Sequence, residues 1–405
     1  VCSSDLELSI PSASGRTVVY KGLFTAAHVA NFYWDLRDPS YESSFAIFHQ
    51  RYSTNTFPAW SIAQPFHTLA HNGEINTIRS NRAWMRTREV NPASPVWGDR
   101  SEELVPFLQS EQSDSGSLDN AFELLVRSGR SIEHVKEMLL PAAWENVADL
   151  DPDLRSFYEY HAFLTEPWDG PAAICATDGV SLLAGLDRNG LRPARWTITP
   201  DVLLVASEAG VSPAVESEAT STGQLPPGGT LLFDGATGEI TFEGDVNARL
   251  AAQQPYGEWI RKDTAYIQDP FDNETDDRFD AERLGRVFNY TPEERRLILQ
   301  EMAEGRDPIG SMGTDTPLAA LSRRHRRLPH YFQQLFAQVT NPPMDPIREK
   351  LVMSLRTFLG ANGSILEETE QQADKIEISS PILSHAELER IEHMDDERFI
   401  SGRLD

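Results

Sequence analysis

The sequence predicts an α+β fold divided over about two or three domains. Its 405 residues exceed what one small core normally holds. Between residues 172 and 242, short β-prone stretches alternate with turn pairs, which is typical of an antiparallel sheet. Before this stretch, apolar residues recur with helical spacing on one face: Leu118, Phe122, Leu125 and Val126.

The first part of the chain is predicted to alternate short strands with longer helices. β-prone residues between polar turns predict strands at 17–19, 45–48 and 68–70. Helices are predicted at 77–89, around Leu118 up to a stop at Gly129, and at 132–140 with Ser131 as N-cap.

An acidic stretch separates the two parts of the chain. Residues 270–282 contain six Asp or Glu side chains and few apolar ones, which is typical of a solvated connector. We therefore divide the chain into residues 1–262, a linker at 263–284, and residues 285–405. The last part is predicted to be helical or α/β, since Thr291 to Glu294 form a capping-box pattern and helical spacing continues in residues 328–339 and 347–359.

Charge and cysteine content exclude several classes of protein. With 36 Lys and Arg against 62 Asp and Glu, the net charge is −26, and such a surface repels nucleic acid and anionic membranes. No stretch approaches the roughly 18 apolar residues of a membrane span. Only Cys2 and Cys175 occur, so we expect a reducing, cytoplasmic environment, no disulfide framework and no cysteine-based metal site.

Polar strings interrupt the strand-like runs at HQRYSTN (residues 49–55) and HNGEIN (residues 71–76). An Arg at a strand end offers a planar fork for a carboxylate, and Asn followed by Gly offers an amide beside an unobstructed backbone N–H, as in an oxyanion hole. An ordinary ion pair for Arg51 and a simple turn at Asn72 are the structural alternatives. A third string, SDSGSLD at residues 113–119, also fits helix capping.

Together these strings resemble the glutamate synthase family. Its class II glutamine amidotransferase domain is similar to residues 45–81 (FAIFHQRYSTNTFPAWSIAQPFHTLAHNGEINTIRSN), 113–130, 168–174 and 185–196. The start of its central domain is similar to residues 307–322 and 331–355. HNGE-type strings occur in all class II amidotransferases, whereas the last two segments distinguish the glutamate synthases.

The resemblance implies an N-terminal-nucleophile hydrolase fold, an αββα sandwich that is incomplete here, followed by a partial helical or α/β central domain. It implies that L-glutamine is hydrolysed to glutamate and ammonia, and that the ammonia is channelled to a flavin site where 2-oxoglutarate is reductively aminated to glutamate. FMN and an iron–sulfur cluster are expected outside this chain, which itself would hold no cofactor or metal. The electron donor is an NADPH-oxidising small subunit or ferredoxin, and the sequence leaves this choice open.

The resemblance also implies roles for individual residues. Arg51 would bind the α-carboxylate of glutamine, and Asp114 would hold its α-ammonium group. Asn72 and Gly73 would form the oxyanion hole. Further candidates near the site are His71 and, in a turn for which a structural hairpin is the alternative, Asn189 and Arg192.

The family's nucleophile is a Cys followed by Gly at the first position of the mature chain. Here Cys2 lacks that Gly and lies much closer to the HQRYSTN string than in the family, while Cys175 is expected to be a buried apolar thiol. We therefore expect a glutamate synthase truncated at both ends, with glutamine-recognition residues but no thiol near Asn72 and no glutamine turnover of its own.

Two other classes are the alternatives. One is a different class II amidotransferase, although no nucleotide-binding or pyrophosphate-binding loop follows residue 285. The other is a glutamine-binding or scaffolding module without enzyme activity.

Overall fold

The computed structural model describes residues 10–51, 59–110, 112–267, 280–287, 289–305, 319–332, 351–383, 385–394 and 398–399. These residues fall into two compact units. The first comprises Val1–Gln268 with Ser354–Asp405, and the second comprises Asp269–Met353.

The regular elements are numbered along the chain. The strands are β1 (Leu69–Gly73), β2 (Ala172–Thr177), β3 (Ser181–Leu186), β4 (Arg195–Ile198), β5 (Leu203–Ala206), β6 (Ser221–Gln224), β7 (Thr230–Asp234), β8 (Ile240–Phe242), β9 (Ala265–Tyr266), β10 (Thr357–Leu359) and β11 (Ile376–Ile378). The α-helices are α1 (Val29–Phe32), α2 (Ile78–Arg88), α3 (Asp114–Arg127), α4 (Ile132–Leu139), α5 (Pro152–Leu164), α6 (Pro213–Ser217), α7 (Glu243–Ala251), α8 (Tyr256–Asp263), α9 (Ala281–Val287), α10 (Pro292–Glu294), α11 (Gln300–Ala303) and α12 (His385–Glu392).

The central sheet of the first unit has five described strands in the order β1-β2-β3-β7-β8, and all neighbours are antiparallel. The turns at Gly179 and Gly238 close hairpins, as the sequence predicts. The hairpin alternative for Asn189 is wrong, because the turn at Gly190 joins β3 to β4, which belong to different sheets. Among the described residues, β1 forms an edge of the central sheet.

The two faces of the central sheet are covered differently. Leu69, Ile174 and Leu232 belong to one large apolar core together with residues of α3, α4 and α5. On the opposite face, Leu186 and Leu231 pack with residues of a second sheet, ordered β5-β4-β6. The described part of the first unit therefore contains a helical layer and two packed sheets. Strand β1, at one edge of the central sheet, contributes Leu69 to the core.

Local sequence signals account well for the helices and less well for the strands. Helices α2, α3 and α4 agree with their predicted ranges, and Gly129 follows α3 with a φ of 106°. The predicted strand at 68–70 overlaps β1, which begins at Leu69, but those at 17–19 and 45–48 are wrong. Their β-prone residues have no neighbouring strand in the described part of the chain with which to form a ladder.

Residues after 353 pack with the first unit, which differs from the sequence-based division at 263–284. Strand β11 lies between β10 and β9, and Ile376 pairs with Ala265 inside the segment predicted as a linker. The hydroxyl of Thr264 donates to the carbonyl of Ala373 at 2.9 Å. Because Ala265 and Ile376 are far apart in the sequence, local composition gives no indication that their strands pair.

The predicted helix over residues 347–359 is wrong at its end, because Thr357–Leu359 forms β10. The Phe358 ring packs against Phe163 with ring centroids 4.7 Å apart, so tertiary contact overrides the helical spacing. Residues 333–350 lie outside the described part, as do residues 270–279 of the acidic stretch.

In the second unit, the predicted capping box begins a helix. Thr291 and Glu294 exchange side-chain to backbone hydrogen bonds, and Pro292 occupies the first turn of α10. The helix continues through a π-helical turn at Arg295–Leu299 into α11, which ends at Ala303. Of the predicted helix at 328–339, only a 3-10 turn at Leu328–Tyr331 is described.

Candidate functional site

The HNG string ends strand β1 at the edge of the central sheet. Asn72 and Gly73 pair with Ala173 and Ala172 of β2, which fixes their backbone direction. Asn72 is exposed, whereas the three residues before it in the strand are buried. The side-chain amide of Asn72 is therefore accessible at the end of a strand whose earlier residues are buried.

Gly73 allows a close approach of two chain segments. A Cβ atom at this position would lie 1.8 Å from the carbonyl oxygen of Pro171. The N–H of Glu74 donates to the same carbonyl at 3.0 Å, and this hydrogen bond holds the two segments together. Only glycine fits here, and its backbone is held against the start of β2.

Asp114 is brought to this strand end by helix α3. Ser113 caps the helix by accepting from the N–H of Gly116, which places Asp114 in the first turn. Its Oδ2 accepts a hydrogen bond from the backbone N–H of Ile75 at 2.9 Å. Asp114 thus lies beside the residues that follow Gly73, and its Oδ1 accepts a long hydrogen bond of 3.4 Å from the Ser115 hydroxyl.

His71 lies beneath the same strand end. Its Nδ1 is 2.7 Å from the hydroxyl oxygen of Ser115, and the residue is buried. Burial lowers the pKa of His71 to about 4, the nearby Asp114 carboxylate opposes this shift, and His49 and Arg192 add to it. The imidazole is therefore neutral at pH 7, and these three charged or titratable groups lie around it.

The loop between β3 and β4 is tied to the partner strand of Gly73. Asp187 accepts hydrogen bonds from the N–H of Ala172 at 2.9 Å and from that of Asn189 at 2.8 Å. Three buried side-chain atoms in this region have no hydrogen-bond partner among the described residues: His71 Nε2, Asn189 Oδ1 and Arg192 Nε. Unsatisfied buried polar atoms are rare in native proteins, so their grouping here favours a site that receives a ligand.

Arg51 is connected to the strand end less directly than the other predicted residues. Its backbone N–H donates to Nδ1 of His49 at 3.4 Å, and His49 is itself one of the groups that affect the pKa of His71. The Arg51 side chain is exposed. The structure therefore joins Asn72, Gly73, Asp114 and His71 in one place and connects Arg51 to them through His49, without a described contact of its guanidinium.

The described cysteine is not an activated thiol. Cys175 lies opposite Ala70 in the β1–β2 pairing and packs on the apolar side chains between the two sheets. Burial raises the pKa of the Cys175 thiol to about 11, so it stays protonated near pH 7. This agrees with the interpretation of an apolar structural thiol. Cys2 lies outside the described residues.

A second cluster of titratable groups was not indicated by any sequence pattern. His134 and His161 approach each other with Nε2 atoms 2.7 Å apart, and Glu368 Oε1 lies 3.1 Å and 3.6 Å from them. Three such ligands are enough for a metal ion. However, Nε of Arg130 lies 3.0 Å from the same Oε1, so a divalent cation would face a buried positive charge. We interpret the cluster as a structural polar network.

Comparison with known proteins identifies the family. The profile of the class II glutamine amidotransferases matches residues 2–259. The chain belongs to this family. The profile of the glutamate synthase central domain matches residues 283–405, which confirms the resemblance derived from the sequence and does not favour another class II enzyme or a scaffolding module.

The curated relatives include two types of glutamate synthase. The chain is 43% identical over 396 residues to the glutamate synthase [NADPH] large chain of Bacillus subtilis (strain 168), covering 96% of this chain and 26% of that one. It is 44% identical over 393 residues to the chloroplastic ferredoxin-dependent glutamate synthase of Oryza sativa subsp. japonica, covering 95% and 24%. The chain thus spans about a quarter of the length of these relatives.

A solved structure of glutamine phosphoribosylpyrophosphate amidotransferase from B. subtilis, complexed with ADP and GMP, has a TM-score of 0.27 and 19% sequence identity over 43% of this chain and 28% of that one. Within the described residues, no helix has the length and apolar content that crossing a membrane requires.

Proposed function

We propose that this chain carries the glutamine-binding and oxyanion-stabilising residues of a glutaminase site within a glutamate synthase. The observation that supports this most is the meeting of Asn72, Gly73 and Asp114 at one end of β1. The whole enzyme would hydrolyse L-glutamine, channel the ammonia, and use it to convert 2-oxoglutarate to L-glutamate by reductive amination.

Each group has a chemical task in this proposal. The side-chain amide of Asn72 and the N–H of Gly73 donate hydrogen bonds to the oxygen that becomes negative when the γ-amide of glutamine is attacked. Asp114 accepts from the α-ammonium group, and Arg51 closes on the α-carboxylate as a planar fork. The Arg51 side chain is exposed and is therefore accessible to an incoming glutamine.

Attack on the amide is not assigned to the described residues. Cys175 is protonated near pH 7 and lies between the sheets, so it does not supply a thiolate. In our proposal the described residues bind and polarise glutamine, and the cysteine nucleophile that the family uses comes from a part of the enzyme outside them.

The remaining features of the enzyme are proposals at a coarser level. The helical layer and two packed sheets of the first unit support an αββα sandwich of the N-terminal-nucleophile hydrolases. With two cysteines in 405 residues, the chain cannot build a four-cysteine cluster, so we place the iron–sulfur cluster and FMN in other parts of the polypeptide. An NADPH-oxidising small subunit or ferredoxin would deliver electrons, and the enzyme would work in the cytoplasm.

The binding step is testable with this chain alone. We expect L-glutamine to bind, and Asp114→Asn to weaken binding by about tenfold to a hundredfold because a charge-assisted hydrogen bond is lost. Asn can still accept from the N–H of Ile75, so the helix keeps its contact with the strand. Arg51→Ala should weaken binding by a similar factor. Calorimetric titration with L-glutamine measures both effects.

The control is Arg100→Ala, which removes an exposed ion pair between Arg100 and Glu103. Neither residue belongs to the candidate site. It should bind L-glutamine as the unmodified chain does. Equal affinity of the Asp114→Asn and Arg100→Ala variants would contradict the assignment of Asp114.

A further inference from the structure

The imidazole of His71 is anchored to helix α3 and shares a strand face with Gly73. Residues two apart in a strand point to the same side, so both lie on the side that faces the helices. Nδ1 of His71 is 2.7 Å from the hydroxyl oxygen of Ser115, the second residue of α3. His71 is 1% exposed, so this contact is shielded from water.

The other ring nitrogen of His71 is adjacent to Gly73. A Cβ atom built on Gly73 would lie 2.9 Å from His71 Nε2 and 1.8 Å from the Pro171 carbonyl oxygen. The ring and the carbonyl therefore both lie on the side of Gly73 where a Cβ atom would be. Nε2 is buried and has no hydrogen-bond partner within the described part of the chain, an arrangement that costs stability and calls for a reason other than folding.

The backbone of His71 is held as firmly as its ring. Gln64 donates from Nε2 to the His71 carbonyl at 3.0 Å and accepts at Oε1 from the His71 N–H at 2.6 Å. With its ring, N–H and carbonyl all engaged, His71 cannot move without disturbing Gly73 two residues later. The groups that face the ring are Asp114, His49, Arg192 and Ser115, and the ring is neutral near pH 7.

We propose that His71 and Ser115 form a positioning pair that fixes the backbone orientation of Gly73, so that its N–H is aimed at the oxyanion before glutamine is attacked. This inference rests on the proposed function. The pair acts through Gly73, so His71 and Ser115 are positioning residues. Preorganised donors stabilise a transition state better than donors that must reorient, so loss of the pair should lower kcat and leave KM almost unchanged.

The test is glutamine hydrolysis by the full natural polypeptide that contains this chain. We expect Ser115→Ala to lower kcat about tenfold with KM changed less than about twofold, because the ring is released while the binding groups remain. His71→Asn, which keeps a hydrogen-bonding group near Ser115 but removes the ring beside Gly73, should lower kcat to a similar degree. Asn72→Ala, which removes a direct donor, should lower kcat about a hundredfold.

Ser117→Ala is the matched control. Ser117 lies in the same turn of α3 and is buried, but its hydroxyl accepts from Nε of Arg82 at 3.0 Å and not from His71. It should retain kcat. If Ser115→Ala and Ser117→Ala lower kcat equally, or if neither does while Asn72→Ala remains impaired, the positioning role is wrong and the proposed function stands. An unimpaired Asn72→Ala, or a natural polypeptide that does not hydrolyse glutamine, would overturn the proposed function and this inference with it.

Discussion

At the scale of single residues, the sequence indicates the polar groups of the candidate site but not the contacts that hold them in place. Asn72 and Gly73 can be predicted from the sequence because an amide beside a glycine is an unusual interruption of a strand. The contacts that hold them cannot be predicted in this way, since His71 and Ser115 are 44 residues apart in the sequence. Such pairs arise from packing, and neither residue type identifies its partner in advance.

The first residue-scale prediction concerns Gly73. Gly73→Ala should reduce the free energy of unfolding by about 1–3 kcal/mol, because the added methyl group meets the Pro171 carbonyl and the strand must shift. Denaturant unfolding of the chain measures this.

Gly244→Ala serves as the control for Gly73→Ala. Gly244 lies in helix α7, and a Cβ atom there meets nothing within 4 Å. Alanine should raise the free energy of unfolding by up to about 1 kcal/mol through helix propensity. A Gly73→Ala variant as stable as the unmodified chain would contradict the close approach.

At the scale of elements, the sequence predicts helices well because their signals are local. The N-cap Ser131 and the stop at Gly129 act within one turn, and α3 and α4 begin and end near them. Strands depend on partners remote in sequence, which explains why helical spacing wrongly predicts a helix at β10. The same reason applies to β9 and β11, whose pairing crosses about a quarter of the chain and could not be derived from composition.

The element-scale prediction concerns the contact between residues 364–372 and helices α4 and α5. Glu368 accepts from Nε of Arg130 and from the Tyr256 hydroxyl, and lies beside both histidines of the polar network. Glu368→Gln should reduce the free energy of unfolding by about 3 kcal/mol, because it leaves the Arg130 charge buried without its partner. Denaturant unfolding provides the value, and limited proteolysis shows whether this segment is released.

Glu370→Gln is the matched comparison for Glu368→Gln, since Glu370 pairs with Lys262 at the surface. Loss of this exposed pair should change the free energy of unfolding by less than about 1 kcal/mol. If both variants lose the same amount, the buried network does not hold the segment.

At the scale of the whole molecule, the buried histidines make stability depend on pH. Burial lowers the pKa of His71 and of His134 to about 4, below the value of about 6.5 for unfolded histidine. Between these values the unfolded chain binds protons that the folded chain does not. The stabilising contribution is therefore complete above about pH 6.5 and is lost progressively as the pH falls toward 4.

The corresponding prediction is a decrease in the free energy of unfolding from about pH 6.5 to about pH 4.5, with each of these histidines contributing up to about 1.4 kcal/mol per pH unit. His134→Gln should reduce this slope, whatever its effect on stability at neutral pH. Urea unfolding at a series of pH values measures the slope. A slope unchanged by the substitution would show that His134 is protonated equally in both states.

Gln64 gives the edge of the central sheet a further property. Its amide occupies both the donor and the acceptor of His71, much as the peptide group of an adjoining strand would. An intermolecular strand approaching β1 at this point would first have to displace that amide. In the part of the chain that the structure describes, this uncharged side chain therefore blocks the pairing of a further strand at His71, and changes in ionic strength should not affect that block.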